Sequence, residues 1–119
     1  MTKGERNKLD KLWFKWAREN FGNRCMIPGC NKDYLNVHHY IGRRNLATRW
    51  YKENACLICS GHHTFYTQSA HQDPEYFRQQ MLDIRGEMWL KDLVKQSNKI
   101  FKGTFQQVLD HLEGRSENY

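Results

Sequence analysis

Near the start of the chain, apolar side chains fall at Leu9, Leu12, Trp13, Trp16 and Ala17. That is the i, i+3, i+4, i+7, i+8 rhythm of one helical stripe, and it predicts a helix over 6–22 that stops at Gly22. Lys8, Lys11, Lys15 and Arg18 occupy its other face. A short apolar run from Leu35 to Ile41 predicts a strand around His38 and His39. From Gly42 to Lys52 no period holds, so this stretch reads as a long loop. Ala55 to Cys59 predicts a second short strand, broken by Ser60 and Gly61, with a helix starting near His62.

The remainder has helical rhythm. Asp73-Pro74 makes an N-cap and N1 pair, followed by Phe77, Met81 and Ile84. A second segment, from about Glu87 to Gln96, carries Trp89, Leu90, Leu93 and Val94. A third begins at Thr104, whose Gln107 completes a capping box ahead of Val108, Leu109 and Leu112. The polar residues 114–119 predict a disordered tail. The expected organisation is one α+β domain: an N-terminal helix over 6–22, a strand–loop–strand–helix core over 25–71, and C-terminal helices over 73–113.

Composition narrows the class. With 119 residues, 39% hydrophobic and 27% charged, the chain has the make-up of one soluble domain. No apolar run approaches the ~20 residues of a membrane span, and the opening MTKGERNKLDK lacks the hydrophobic stretch of a secretory signal. The expectation is a cytoplasmic protein with no membrane partner. Charge is uneven: residues 1–63 hold 12 basic and 5 acidic groups, residues 64–119 hold 7 and 8. A basic half suits a polyanion, nucleic acid being the usual one, although a solvated face accounts for the charge as simply.

The four cysteines form two pairs, Cys25-x4-Cys30 and Cys56-x2-Cys59. In a reducing compartment, thiols paired at such spacing point to tetrahedral zinc rather than disulfides. Pro28 and Gly29 permit the tight turn that brings Cys25 and Cys30 onto one ion. Spacing alone favours a site of all four cysteines.

The stretch VHHYIGRRNLATRWYKENACLICSGHH, residues 37–63, carries a family resemblance. It resembles the HNH endonucleases, the ββα-metal or His-Me finger nucleases. In these a histidine ends the first strand, an asparagine precedes the second, and a histidine or asparagine opens the following helix. Asn54-x4-Cys59-x2-His62-His63 matches their zinc-knuckle spacing if His62 replaces a cysteine. Arg49, Trp50 and Asn54, with the His39-Tyr40 pair, are most similar to the phage NinG/Rap recombination endonucleases. The match spans about residues 25–71.

The resemblance implies a small ββα-metal core with a zinc knuckle, flanked by the N-terminal and C-terminal helices. It implies structural Zn²⁺ on Cys25, Cys30, Cys59 and His62, with Cys56 left as a buried strand thiol and as the alternative ligand. It further implies that His39 is the general base, that Asn54 holds it in orientation, and that His38 and His63 ligate a catalytic divalent ion. Two imidazoles make a softer site than a carboxylate and an imidazole, so Mn²⁺, Ni²⁺ or Zn²⁺ compete with Mg²⁺. His71 lies eight residues past His63, about 12 Å along a continuous helix, and reads as a surface histidine before a third ligand. Arg43, Arg44 and Arg49 are the expected DNA-phosphate contacts. The implied protein is a metal-dependent DNA endonuclease of a phage or its bacterial host, monomer or homodimer, with branched recombination DNA as one substrate. The rival readings are a non-catalytic zinc-stabilised DNA-binding module and a nonspecific nuclease of the colicin type.

Overall fold

A computed structural model describes residues 1–117. Helix α1 (Lys3–Asn20) leads to strand β1 (Leu35–His39), the one-turn helix α2 (Leu46–Arg49) and strand β2 (Ala55–Cys59). Helices α3 (Pro74–Arg85), α4 (Glu87–Ser97) and α5 (Phe105–Leu112) follow. The two strands pair antiparallel, with Leu35 opposite Cys59, Val37 opposite Leu57 and His39 opposite Ala55.

The sheet divides the core in two. Side chains alternate between the faces of a strand, so Ala55 and Leu57 of β2 face one way while Cys56 and Ile58 face the other. Ala55, Leu57 and Val37 pack with Leu9, Trp13 and Ala17 of α1, Trp50, and Val108 and Leu112 of α5. Cys56 and Ile58 pack with Cys25, Ile27, Phe77 and Met81 of α3, and Trp89 and Leu93 of α4. Every residue of β2 is therefore buried. Each fully buried large apolar side chain contributes about 1.5–3 kcal/mol, and β2 anchors both halves.

Helix ends follow local chemistry. Thr2 and Glu5 form a capping box that starts α1 at Lys3, three residues before the apolar stripe announces it. Asp73 caps α3 by accepting from the Tyr76 amide, and Thr104 with Gln107 caps α5. The expected loop over Gly42–Lys52 contains structure: Asn45 Oδ1 accepts from the Thr48 amide and caps α2, and a 3-10 turn follows over Lys52–Asn54. One turn is too short to display a hydrophobic period, which is why the sequence pattern hides it.

The helix expected near His62 is a single π-helical turn, Gly61–Phe65. The Tyr66 ring lies where a Cβ on Gly61 would stand, so only glycine admits this close approach. Past Phe65 the chain doubles back: the amides of Ala70 and His71 bond the carbonyls of His62 and His63 at 2.8 and 3.2 Å. The tail expected to be disordered from 114 instead folds back on α5, where Arg115 pairs with Asp110 at 2.8 Å; residues 118–119 lie outside the described residues. Among the described residues no helix is long and apolar enough to cross a membrane.

Two candidate metal centres

His62 and His63 are adjacent on the π-turn, yet they join different clusters. The first gathers one ligand atom each from Cys25, Cys30, Cys59 and His62, all within 4.8 Å of one another. The knuckle from Cys25 to Cys30 closes through the Cys30 amide on the Ile27 carbonyl, with Gly29 at φ +80° in the turn. The Met26 amide bonds the Leu57 carbonyl at 2.8 Å, which pins the knuckle beside β2 and sets Cys25 near Cys59.

The cluster's dimensions test its fit to an ion. Sulfur at about 2.3 Å and nitrogen at about 2.0–2.1 Å from tetrahedral zinc leave edges of about 3.8 Å between sulfurs and about 3.6 Å from sulfur to nitrogen. Here Cys30 Sγ lies 3.9 Å from Cys59 Sγ. His62 Nδ1 lies 3.5 Å from Cys25 Sγ and 3.2 Å from Cys59 Sγ. The donors fit a structural metal such as zinc, and with four protein ligands no position remains for substrate. Burial pushes the Cys25 thiol up to about 11. A cation is the partner that makes a thiolate stable there.

Cys56 lies apart from this group. It is fully buried on the strand, its Sγ meets the Met81 sulfur at 3.7 Å, and burial pushes its thiol up to about 12. The four-cysteine site that spacing alone favours therefore gives way to one with His62 in place of Cys56.

The second cluster joins His38, His63 and His71, again with ligand atoms within 4.8 Å of one another. His63 Nε2 and His71 Nε2 are 3.0 Å apart. His38 meets both rings edge-on, with centroids at 5.1 Å, and its ring also abuts Phe77. His63 Nδ1 donates to Asn36 Oδ1 at 3.2 Å, which fixes the tautomer and leaves the lone pair on Nε2, facing His71. Burial, then the like charges of His63, His71 and His39, hold the His38 imidazolium down to about 3. Three imidazoles thus converge, and three protein ligands leave coordination positions open. A cleft of about 230 Å³ adjoins them, lined by His38, Tyr40, Ala70, Pro74, Glu75, Phe77 and Arg78.

Sequence reasoning missed parts of this cluster. Counting along one helix puts His71 about 12 Å from His63, whereas the turn at Phe65 returns it there. Asn36 escaped notice although the strand period of two puts it on the face of His38. Arg78, on the cleft wall, gave no signal at all.

His39 faces the other way, as strand alternation requires. Its ring stacks on Trp13 at 4.1 Å, and its Nε2 donates to the Arg49 carbonyl at 2.9 Å. The proton therefore sits on Nε2, and Nδ1 carries the lone pair. Burial is the main cause that lowers the His39 pKa to about 4; the Arg49 carbonyl and Asp10 oppose it.

Asn54 is wholly buried and clamps the segment between the strands. Its Oδ1 accepts from the Ile41 amide at 2.7 Å; its Nδ2 donates to the carbonyls of Ile41 and Thr48 at 2.9 and 3.0 Å. Thr48 directly precedes the residue whose carbonyl holds His39, so Asn54 positions that carbonyl. Arg43 and Arg44 face solvent. Arg49 does not. It is 7% exposed, and it forks onto Asp10 at 3.0 and 2.8 Å, beside Trp50 Nε1 at 2.8 Å. Burial would raise the Asp10 carboxyl, but these bonds and the charges of Arg49 and Arg43 outweigh it and hold the carboxyl low. Arg49, expected as a DNA contact, commits its guanidinium to Asp10.

Compared with protein-family models, curated proteins and solved structures, the chain matches none.

Proposed function

We propose that the protein is a metal-dependent DNA endonuclease of the HNH type, hydrolysing phosphodiester bonds at the rim where β1 ends. The observation that carries this reading is the convergence of His38, His63 and His71, with His39 next along the same strand. Two further features support it: the locked tautomer of His39 and the basic first half of the chain.

His38, His63 and His71 would hold the divalent cation through neutral ring nitrogens, Asn36 orienting His63 from behind. Bound there, Mg²⁺, Mn²⁺, Ni²⁺ or Zn²⁺ supplies Lewis acidity to the scissile phosphate and charge stabilisation to the leaving oxygen. A phosphodiester straddling the end of β1 meets His38 on one face and His39 on the other. His39 Nδ1 takes the proton from water as its oxygen attacks phosphorus. The Nε2–H bond to Arg49 keeps the ring in the accepting tautomer and stabilises the imidazolium once it forms. Asn54 keeps that carbonyl in place, and Arg78 of the cleft offers a cation to a phosphate oxygen. Branched recombination DNA remains the proposed substrate class, carried by the motif resemblance alone.

The test is cleavage of supercoiled plasmid and of a four-way junction in EDTA, Mg²⁺, Mn²⁺ and Ni²⁺, with His39→Ala alongside. Metal-dependent cutting that the variant loses supports the reading. Intact DNA in every lane, with binding retained in a mobility shift, sinks it in favour of a non-catalytic zinc module.

A further inference from the structure

A second basic feature lies on the α1 side of the sheet, away from the three histidines. A cavity of about 380 Å³ is lined by Met1, Lys3, Arg6 and Asn7 of the α1 end, and by Arg43 and Arg49. Four of its six lining residues are cationic, and none is acidic. Asp10 is the counter-charge of Arg49, shared with Trp50, and Arg43 reaches it at 3.5 Å; the Glu5 carboxylate accepts from the Thr2 amide. Neither the Lys3 nor the Arg6 side chain has a hydrogen-bonding or ionic partner among the described residues. The Nε of Arg6 is buried as well as unpaired.

This is an unusual arrangement for a structural purpose. Like charges lining one cavity repel, and a buried donor on a cation without an acceptor costs stability. An oxyanion resolves both at once: it neutralises the cluster and supplies the acceptor that Arg6 lacks. A phosphate group matches best, since its several oxygens can be shared between the planar forks of Arg6 and Arg43 and the point charge of Lys3.

We infer that the cavity between the start of α1 and Arg43 is a phosphate subsite for a nucleic-acid backbone, separate from the histidine cluster. The assignment to nucleic acid rests on the proposed function; the affinity for phosphate rests on the cavity alone. Lys8, Lys11, Lys15 and Arg18 continue the positive charge along α1, which suits a polymer more than a single small anion. The site also touches the catalytic proposal through one residue. The Arg49 side chain lines the cavity, and its carbonyl holds His39. A backbone seated at Arg6 and Arg43 therefore has its register set relative to His39.

The experiment is fluorescence anisotropy of a labelled duplex in a chelator too weak to strip the cysteine cluster, titrated over a series of salt concentrations. Cleavage is not needed for the readout. Lys3→Ala with Arg6→Gln should weaken binding roughly tenfold at low salt and flatten the salt slope by about two, one contact for each residue lost. Lys91→Ala, on α4, should change neither. Melting temperatures of all variants guard against misfolding; neither Lys3 nor Arg6 holds a contact whose loss would unfold the chain. Inorganic phosphate should compete with the wild type more strongly than with the double variant. Unchanged affinity and slope in the double variant overturn the subsite, as does failure of the wild type to bind DNA. Normal binding by a wild type that never cleaves overturns the nuclease reading and leaves the subsite standing.

Discussion

Two adjacent histidines of one π-turn serve two clusters that differ in nearly every physical respect. The Cys25–Cys30–Cys59–His62 group has four donors, mostly sulfur, with Cys25 and Cys59 buried and their dimensions already those of a tetrahedral ion. The His38–His63–His71 group has three donors, all nitrogen, with His71 exposed and a cleft at its side. A closed soft site holds a fold together, whereas an open site of three imidazoles leaves room for water or phosphate. Because both begin at the π-turn, whatever fixes His62 also aims His63. The structural cluster is thus the scaffold of the open one.

The sharpest way to break this comparison is to remove a ligand from the closed site. Cys30→Ser should cost several kcal/mol, because metal binding and folding are one equilibrium in small metal-held domains, and should lower the melting temperature by roughly 10 °C or more. Metal content by mass spectrometry should fall alongside. Cys56→Ser should keep the bound metal, with a smaller loss of about 1–3 kcal/mol from burying a hydroxyl that lacks a sure partner. Loss of metal in that variant would hand the site back to the four-cysteine arrangement.

Next comes a ligand of the open site. His38→Ala should leave the cysteine-bound metal and the far-UV spectrum unchanged. On the proposed function it should reduce plasmid cleavage by about two orders of magnitude or more. Full activity would detach the histidine cluster from catalysis.

Acid should act through the imidazoles. His38 and His39 are held neutral to about 3 and about 4, below the ordinary histidine value of about 6.5. Between those values the unfolded chain binds protons that the native chain refuses. Their contribution to stability is complete above about pH 6.5 and is lost as the pH falls towards 4 and then 3. A cation on His38 only deepens the native preference for the neutral form. Denaturant midpoints from pH 7.5 to 4.5 should fall, and His39→Asn should show a slope smaller by up to one proton. An identical slope would mean that His39 titrates freely.

What the sequence disclosed follows from the range of each interaction. Spacing alone points to four cysteines and the motif resemblance to His62, whereas the caps at Asp73 and Thr104 and the stripe of α1 act over a few residues and could be read directly. So could the burial of Cys56, once His62 took its place. Hidden were features made by distant encounters. Arg49 sits among solvent-exposed arginines in sequence, yet Asp10, 39 positions upstream, draws it inside. The return of His71 depends on a reversal at Phe65 that no periodicity marks.

That reversal gives the smallest and most selective perturbation. Ser69 is wholly buried, its hydroxyl donates to the Thr64 carbonyl at 3.1 Å, and it accepts from the Gln72 amide at 3.2 Å. These two bonds close the loop that carries His71 back beside His63. Ser69→Ala removes both at a cost of about 1–3 kcal/mol, too little to unfold a domain of ordinary stability. The cysteine cluster draws no ligand from this loop, so its metal should remain. His71 would lose its registration, and affinity of the open cluster for Ni²⁺ or Mn²⁺ should fall several-fold, measured by calorimetric titration of the zinc-loaded protein. His71→Ala should abolish the effect of the serine change, since the loop then has no ligand to deliver. If Ser69→Ala still weakens binding in that background, the loop acts on His63 directly, and the two clusters are coupled more tightly than a shared turn requires.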